Sequence, residues 1–246
     1  AASLHFGLRD YNPIAQAVCR ITNTGVDYDR SIFGIGFGQF LITNAHCFKL
    51  NEGETRIVSR HGQFTIEKTH SLPIHQVKDK DMVIVRLPKD FPPFPQRLQF
   101  RAPQEREKIC LVGSNFQEKS IQSVITESCM TFKHNGGKYW KHWITTKEGH
   151  CGLPVVALKD GHIVGIHNLG GENTNINYFT PFDADILDKY LLNAEALQWT
   201  KGWKYNKNKV CWGGLELLDD NEPEESGLFR MVKLLKSLEE DGVRTQ

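Results

Sequence analysis

The sequence predicts an all-β protein built from short antiparallel strands in a sandwich or barrels. Three observations carry that expectation. Strand-like apolar runs dominate the first 180 residues, turn-forming Gly, Asn, Asp or Pro stands between them, and the runs recur at the close spacing typical of all-β domains. With 246 residues, the chain is long enough for one or two domains and a full core without metal or disulfide staples. Apolar residues make up 39% and charged residues 24%, an ordinary globular composition. The net charge of +1 excludes a strongly basic nucleic-acid footprint over the whole chain. No apolar run is long enough to span a bilayer, so no membrane role is expected.

Phe33, Ile35 and Phe37 alternate with Gly34, Gly36 and Gly38 and lead into Phe40-Leu41-Ile42. A period of two is a strand signal, and the glycines mark a close backbone approach or a tight bend. Phe64–Ile66, Met82–Leu87, Ile109–Val112, Ile121–Ile125, Val155–Leu158 and Ile163–Ile166 supply further strands, and Asp160-Gly161 is a hairpin signal between the last two. Pro92, Pro93 and Pro95 cannot sit in a central strand, so residues 89–95 read as an extended crossing segment. The link between two β units is placed after it, near residues 105–120, giving units over 1–115 and 116–220 and a flexible tail over 221–246. Ile186, Tyr190, Leu191 and Leu197 recur at helical spacing and predict one helix over Asp183–Trp199; Phe229–Leu238 is a second amphipathic segment.

The six cysteines, Cys19, Cys47, Cys110, Cys129, Cys151 and Cys211, form no C-x-x-C pair and no zinc-type spacing. With no charged stretch followed by an apolar run at the start, the chain reads as a reduced cytosolic or nuclear protein. Most buried thiols are small apolar fillers. Cys151 departs from that role, because it stands in Gly149-His150-Cys151-Gly152, where glycine supplies nothing to pack. Such a turn exposes a thiol and aims backbone N–H groups at one point, as stabilising an oxyanion requires. A nucleophile needs a base, and the base an orienting group. His46 follows the strand Phe40–Ile42, and Asp81 directly precedes the run Met82–Val85. Each alone is ordinarily a loop or turn residue. Together, His46, Asp81 and Cys151 run in the order His, Asp, nucleophile found in chymotrypsin-type proteases.

Longer strings point the same way. They include Arg9-Asp10-Tyr11-Asn12-Pro13-Ile14, Gly34-Ile35-Gly36-Phe37-Gly38, Asp90-Phe91-Pro92-Pro93-Phe94-Pro95-Gln96, Asn115-Phe116-Gln117, Trp140-Lys141-His142-Trp143, Gly149-His150-Cys151-Gly152, Gly165-Ile166-His167 and Asn177-Tyr178-Phe179, with Trp212-Gly213 beyond. On these the sequence closely resembles the potyvirus nuclear inclusion a proteases. The resemblance implies two six-stranded antiparallel β-barrels of the chymotrypsin-like (3C-like) cysteine protease type, with short C-terminal helices. The first barrel would carry His46 and Asp81, the second Cys151 and a pocket for Gln. It also implies cleavage of a viral polyprotein after Gln and before a small residue, at junctions bound as extended peptides, without a cofactor. It further implies a genome-linked viral protein fused upstream, weak nonspecific RNA binding, and residence in the host cytoplasm and nucleus. Glu148 and Thr174 stand where the family more often has Asp and Asn, and Cys47 where it more often has Leu.

In this reading His46 takes the Cys151 proton and returns it to the leaving amine, while Asp81 holds the other imidazole N–H. The backbone N–H groups of Cys151 and Gly149 are the oxyanion donors. A neutral Gln amide needs a donor to its oxygen, and His167 and Thr146 fall on the matching positions. Glu148, Asn168, Leu169, Gly170, Thr174 and Tyr178 complete the expected substrate-binding set, with Leu169–Tyr178 able to pair with an extended peptide. Lys133, Lys138 and Lys141 lie among Phe132, Tyr139, Trp140 and Trp143, and Lys201, Lys204, Lys207 and Lys209 near Trp203 and Tyr205, a pattern suited to single-stranded RNA. Gln246 and Ala1 match the two sides of a Gln–small junction, so the chain is expected to be a product of its own cleavage, with a tail that revisits the cleft. The absence of metal-ligand spacing predicts that peptide cleavage persists in full in EDTA. Reversible loss on chelation, restored by zinc, is the opposite outcome.

Overall fold

The computed structural model describes residues 10–24, 29–45, 53–77, 80–115, 122–125, 129–146, 150–171, 176–183 and 243–245. A single helical turn, α1 (Asn12–Ala15), starts at Pro13, whose missing N–H is tolerated in a first turn. Seven strands follow: β1 (Val18–Thr24), β2 (Asp29–Phe37), β3 (Phe40–Thr43), β4 (Glu54–Ser59), β5 (Gly62–Ile66), β6 (Ile74–Gln76) and β7 (Val83–Arg86). They form one antiparallel sheet in the order β5-β4-β1-β2-β3-β7-β6. The second sheet comprises β8 (Lys108–Asn115), β9 (Gln122–Ile125), β10 (Cys129–Met130), β11 (Phe132–His134), β12 (Tyr139–His142), β13 (Pro154–Ala157), β14 (Ile163–Gly171), β15 (Asn177–Pro181) and β16 (Val243–Thr245). Its backbone order is β10-β8-β13-β14-β15-β12-β11, with β9 added on β8 and β16 on β14.

The all-β expectation holds, as two antiparallel sheets. Their strand numbers, seven and nine, exceed the six expected of each barrel. In the second sheet the excess comes from short pieces and from β16, contributed by the tail. The segments expected to be helical, at 183–199 and 229–238, lie outside the described residues apart from Asp183.

The alternating glycines of β2 act as expected. A Cβ at Gly36 would run into the ring of Phe94, so the proline-rich segment packs directly on the strand backbone. That segment crosses the molecule without a strand and buries Phe91 and Phe94 in the first core, Phe91 edge-on to Phe64 at 4.9 Å. The link between the sheets lies earlier than the sequence predicts. Leu111 of β8 pairs with Val155 of β13, so 108–115 belongs to the second sheet and the connection runs over 87–107. The short strand Ile109–Val112 lengthens past Gly113 because β9 pairs with Val112–Asn115 and satisfies its backbone there.

A shared core joins the sheets. Ile35, Phe37, Phe40, Ile42 and Ile84 from the first meet Cys110, Val112, Val156, Ile163 and Ile166 from the second, with Tyr11 and Ile14 beside them. The connection is tied down by Arg101. Its guanidinium donates to both Glu107 oxygens, at 3.0 and 2.7 Å, and to both Asp160 oxygens, at 2.7 and 3.2 Å. Burial acts to raise the Asp160 carboxyl, but the Arg101 hydrogen bonds, the His162 N–H and the charges of both side chains together outweigh it and hold it below its usual range. A planar fork satisfies two carboxylates at once and an ammonium cannot. Arg101→Ala is expected to lower stability by about 3 kcal/mol, because Glu107 stays buried and uncompensated, and Arg101→Lys by somewhat less. Urea denaturation of the two variants measures both values, and changes below about 0.5 kcal/mol would remove the assignment.

Candidate active site

The turn carrying Cys151 is built by glycine and held by the first sheet. Gly152 has φ of +87°, and a Cβ there would collide with the carbonyl oxygen of Phe33 in β2. The Phe33 N–H donates to the Cys151 carbonyl at 2.8 Å, and Thr43 Oγ1 donates to the Phe33 carbonyl at 2.7 Å. On its other side the turn is held by β14. The Gly152 N–H donates to the His167 carbonyl at 2.8 Å, and the His167 N–H to the Leu153 carbonyl at 2.9 Å. Asn44 Nδ2, from the end of β3, reaches the same His167 carbonyl at 3.3 Å. Cys151 is fully buried, and its thiol donates to the Asn168 carbonyl at 3.0 Å.

Asp81 is fully buried just ahead of β7. In the β3–β7 ladder Thr43 pairs with Val83. Antiparallel register therefore brings Asp81 to the end of the ladder where the chain leaves β3 towards His46. His46 itself lies outside the described residues, but its neighbour Ala45 packs in the same apolar cluster as Cys151. The Asp81 turn is braced by Gln76, whose side-chain amide donates to the carbonyls of Val77, Lys80 and Met82 at 3.1, 2.8 and 3.2 Å. Lys80 then fastens it to the second sheet, through the Pro181 carbonyl at 3.0 Å and Asp183 at 2.9 Å.

Among the expected substrate-binding residues, His167 and Asn168 are fully buried on β14, and Gly170 is buried beside them. Asn168 Nδ2 donates to Thr180 Oγ1 at 3.0 Å. Leu169 takes part through its backbone, paired with both β15 and β16. Thr146 is half-buried after β12. Tyr178 is buried on β15, with its ring against His134 at 5.0 Å and Tyr139 at 6.3 Å. Glu148, Gly149 and Thr174 lie outside the described residues, as do Cys47 and Cys211.

Three residues near the site carry no local sequence signal: Asn44, Gln76 and His142. Asn44 acts through a backbone carbonyl distant in sequence, and Gln76 through the carbonyls of the turn that follows it. His142, fully buried, sits with its Nε2 3.1 Å from His167 Nδ1. Burial, and then the neighbouring His167, push His142 well below the ordinary imidazole range.

Cys19 and Cys110 behave as fillers. Burial pushes Cys110 up to about 12, with a Tyr11 hydrogen bond opposing, and drives Cys19 higher still. Among the described residues no group of three or more His, Cys, Asp or Glu could hold a metal ion. The geometry thus presents one thiol on a glycine turn at the seam of two sheets, beside a strand whose backbone accepts a further partner. That arrangement can attack a carbonyl carbon in an extended peptide.

The family model for peptidase family C4 matches residues 1–236. The genome polyprotein of beet mosaic virus is 48% identical over 92% of this chain, and that of turnip mosaic virus 46% over 99%. The chain spans only 7% and 8% of those polyproteins. Among solved structures, a catalytically active tobacco etch virus protease complexed with product is 46% identical, covering 89% of this chain and 95% of its own, with a TM-score of 0.80. Tobacco vein mottling virus protease is 40% identical over 88% of this chain and 99% of its own, with a TM-score of 0.78. On these matches the chain belongs to peptidase family C4 and is a chymotrypsin-like cysteine endopeptidase.

Proposed function

We propose that the chain cleaves a viral polyprotein after Gln and before a small residue, using Cys151, His46 and Asp81. The observation that carries this reading is the pairing of β16 on β14. Beyond Ile166 the strand β14 outruns β13, and Val243–Thr245 fills the vacated edge in antiparallel register, with Thr245 opposite Leu169 and Arg244 opposite Gly170. A peptide docked in that register advances one residue beyond Thr245 to stand opposite Asn168, whose carbonyl already accepts from the Cys151 thiol. Strand addition supplies main-chain hydrogen bonds, and side-chain pockets supply the choice of sequence. The buried His167 beside that step is the donor for a Gln amide oxygen, with Thr146 as the second.

The chemistry follows from the parts. The Cys151 sulfur bonds to the scissile carbonyl carbon while its proton passes to His46. The C–N bond then breaks and the same proton leaves with the amine. Water hydrolyses the thioester, releasing the acid and restoring the thiol. The Gly152 N–H is committed to the His167 carbonyl, so the oxyanion donors are assigned to Cys151 and Gly149. Membership of the family and similarity to segments of genome polyproteins support a polyprotein substrate. The upstream genome-linked protein and the host cytoplasm and nucleus belong to the same reading, on the resemblance alone. Weak RNA binding is the least supported part. Tyr139 and Trp140 are core residues, leaving Trp143, 41% exposed and edge-on to Phe132, as the available aromatic platform of that pattern among the described residues.

Cleavage of a peptide library, read by mass spectrometry, tests the substrate. Cuts are expected after Gln before small residues, and none with Cys151→Ala. Cuts after other residues, or a Cys151→Ala variant that still cleaves, would overturn it. The tail claims the same edge as a substrate, and tethering at an effective concentration of the order of mM makes it a competitor. Removing residues 241–246 should therefore lower KM for a peptide several-fold with kcat little changed. An unchanged KM would reject the competition.

A further inference from the structure

We infer that His142 is a positioning residue that sets the tautomer of His167 and so enforces the choice of Gln over Glu. The inference rests on the reading that His167 receives the substrate's Gln side chain. His142 ends β12 and His167 lies on β14, with β15 between them in the sheet. Both are fully buried, their ring centroids 5.3 Å apart and tilted by 66°. The Phe179 ring of β15, 6.1 Å from His142, supplies an apolar wall.

The direction of the hydrogen bond between the rings follows from the backbone. The Ile144 N–H donates to His142 Nδ1 at 3.2 Å. A peptide N–H can only donate, so His142 Nδ1 is a bare acceptor and its hydrogen sits on Nε2. That Nε2 lies 3.1 Å from His167 Nδ1, so His142 donates and His167 Nδ1 accepts. His167, in its neutral form, then carries its own hydrogen on Nε2. Ile144 is itself held, its carbonyl accepting from Asn177 Nδ2 at 2.6 Å. The N–H of a residue anchored through its own carbonyl thus orders two imidazoles in series.

This relay has two effects on the substrate. It leaves His167 presenting an N–H, the partner that a Gln amide oxygen needs. It also opposes a second proton on His167, because an Nδ1–H would point at the Nε2–H of His142. The imidazolium that would attract a Glu carboxylate is therefore suppressed. A neutral donor in a buried site discriminates by leaving the wrong group unpaired.

Long-range 1H–15N spectra of the full chain with Cys151→Ala report ring protonation directly. Both His142 and His167 are expected neutral with hydrogen on Nε2. Hydrogen on Nδ1 of His167, or an imidazolium there at neutral pH, would overturn the inference. Kinetics give the second arm, as kcat/KM for matched peptides differing only in Gln or Glu at the cleaved position. His142→Phe should lower the Gln-to-Glu ratio about tenfold or more, and His142→Gln, whose amide can donate to His167 Nδ1, should restore much of it. A purely packing role for His142 would reduce both substrates alike and leave the ratio unchanged, which sinks the inference. His167→Ala separates the two levels. A ratio unchanged by His167→Ala removes the underlying reading. A ratio lost in His167→Ala but kept in His142→Phe removes only the relay. If His142→Phe does not fold, the spectra of the chain with His142 intact decide.

Discussion

The backbone contact between Phe33 and the Cys151–Gly152 turn is the constraint on which the rest of the site depends. It crosses between the two sheets, and it works only if residue 152 has no Cβ. The Phe33 N–H takes the Cys151 carbonyl, and the space a side chain would need is filled by the Phe33 carbonyl. With the turn seated on β2, the Gly152 N–H points to β14 and the thiol to the Asn168 carbonyl. The same β2 backbone is packed from its other side by Phe94. Moving the nucleophile would therefore disturb the ladder of the first sheet and the crossing segment together. A close-packed interior transmits such a shift because there is no void to absorb it.

β14 makes this rigidity useful. It pairs with three others, β13 along its first half, β15 along most of its length, and β16 beyond the Cys151 turn. A register shift between His167 and Leu169 on the β15 side marks where its two halves change roles. Before the shift it is a buried core strand, with Ile163, Val164 and Ile166 all fully buried. After it, the strand is an edge that accepts an extended segment. The residues at the change, His167 and Asn168, are those whose carbonyls anchor the turn and the thiol. In the proposed reading, docking of a peptide, its alignment and its approach to sulfur are set by that one continuous backbone.

Legibility in the sequence followed how local each cause was. The β13–β14 hairpin was readable because Gly161, with φ of +73°, answers a purely local demand, and β7 because Val83, Ile84 and Val85 form an unbroken buried run. β1 and β4 escaped notice, although Ile21 and Ile57 are fully buried. Their strands also bury Asn23 and Thr55, which bond each other at 2.8 Å across the sheet. Polar letters that satisfy one another in the core look like surface letters in a chain read alone. In the site, the Gly-flanked Cys151 carried its own signal. His142 carried none, because its role depends on a ring two strands away and on the N–H of Ile144. The sheet link lies elsewhere than expected for a related reason, since the turn before β8 places Arg106 at φ of +63° with no glycine to mark it, and only the pairing with β13 shows where the second sheet begins.

Two imidazoles and an asparagine buried around a cleavage site are a liability for stability. Each must give up water, and the bonds that order the two imidazoles link only ring nitrogens and the N–H of Ile144. An apolar pair of the same shape would pack as well with no polar group to satisfy. What the polar pair adds is direction. The Ile144 N–H can only donate, so in the proposed relay each ring in turn has one acceptor face and one donor face, and the last donor is offered to the substrate side chain. A hydroxyl in place of His142 could rotate and either donate or accept, leaving the tautomer of His167 open. A carboxylate would draw a proton onto His167 Nδ1 and favour the cation. An imidazole held at Nδ1 by a backbone N–H avoids both outcomes. In the proposed relay, the burial of the two imidazoles is accounted for by the neutrality of the side chain they read.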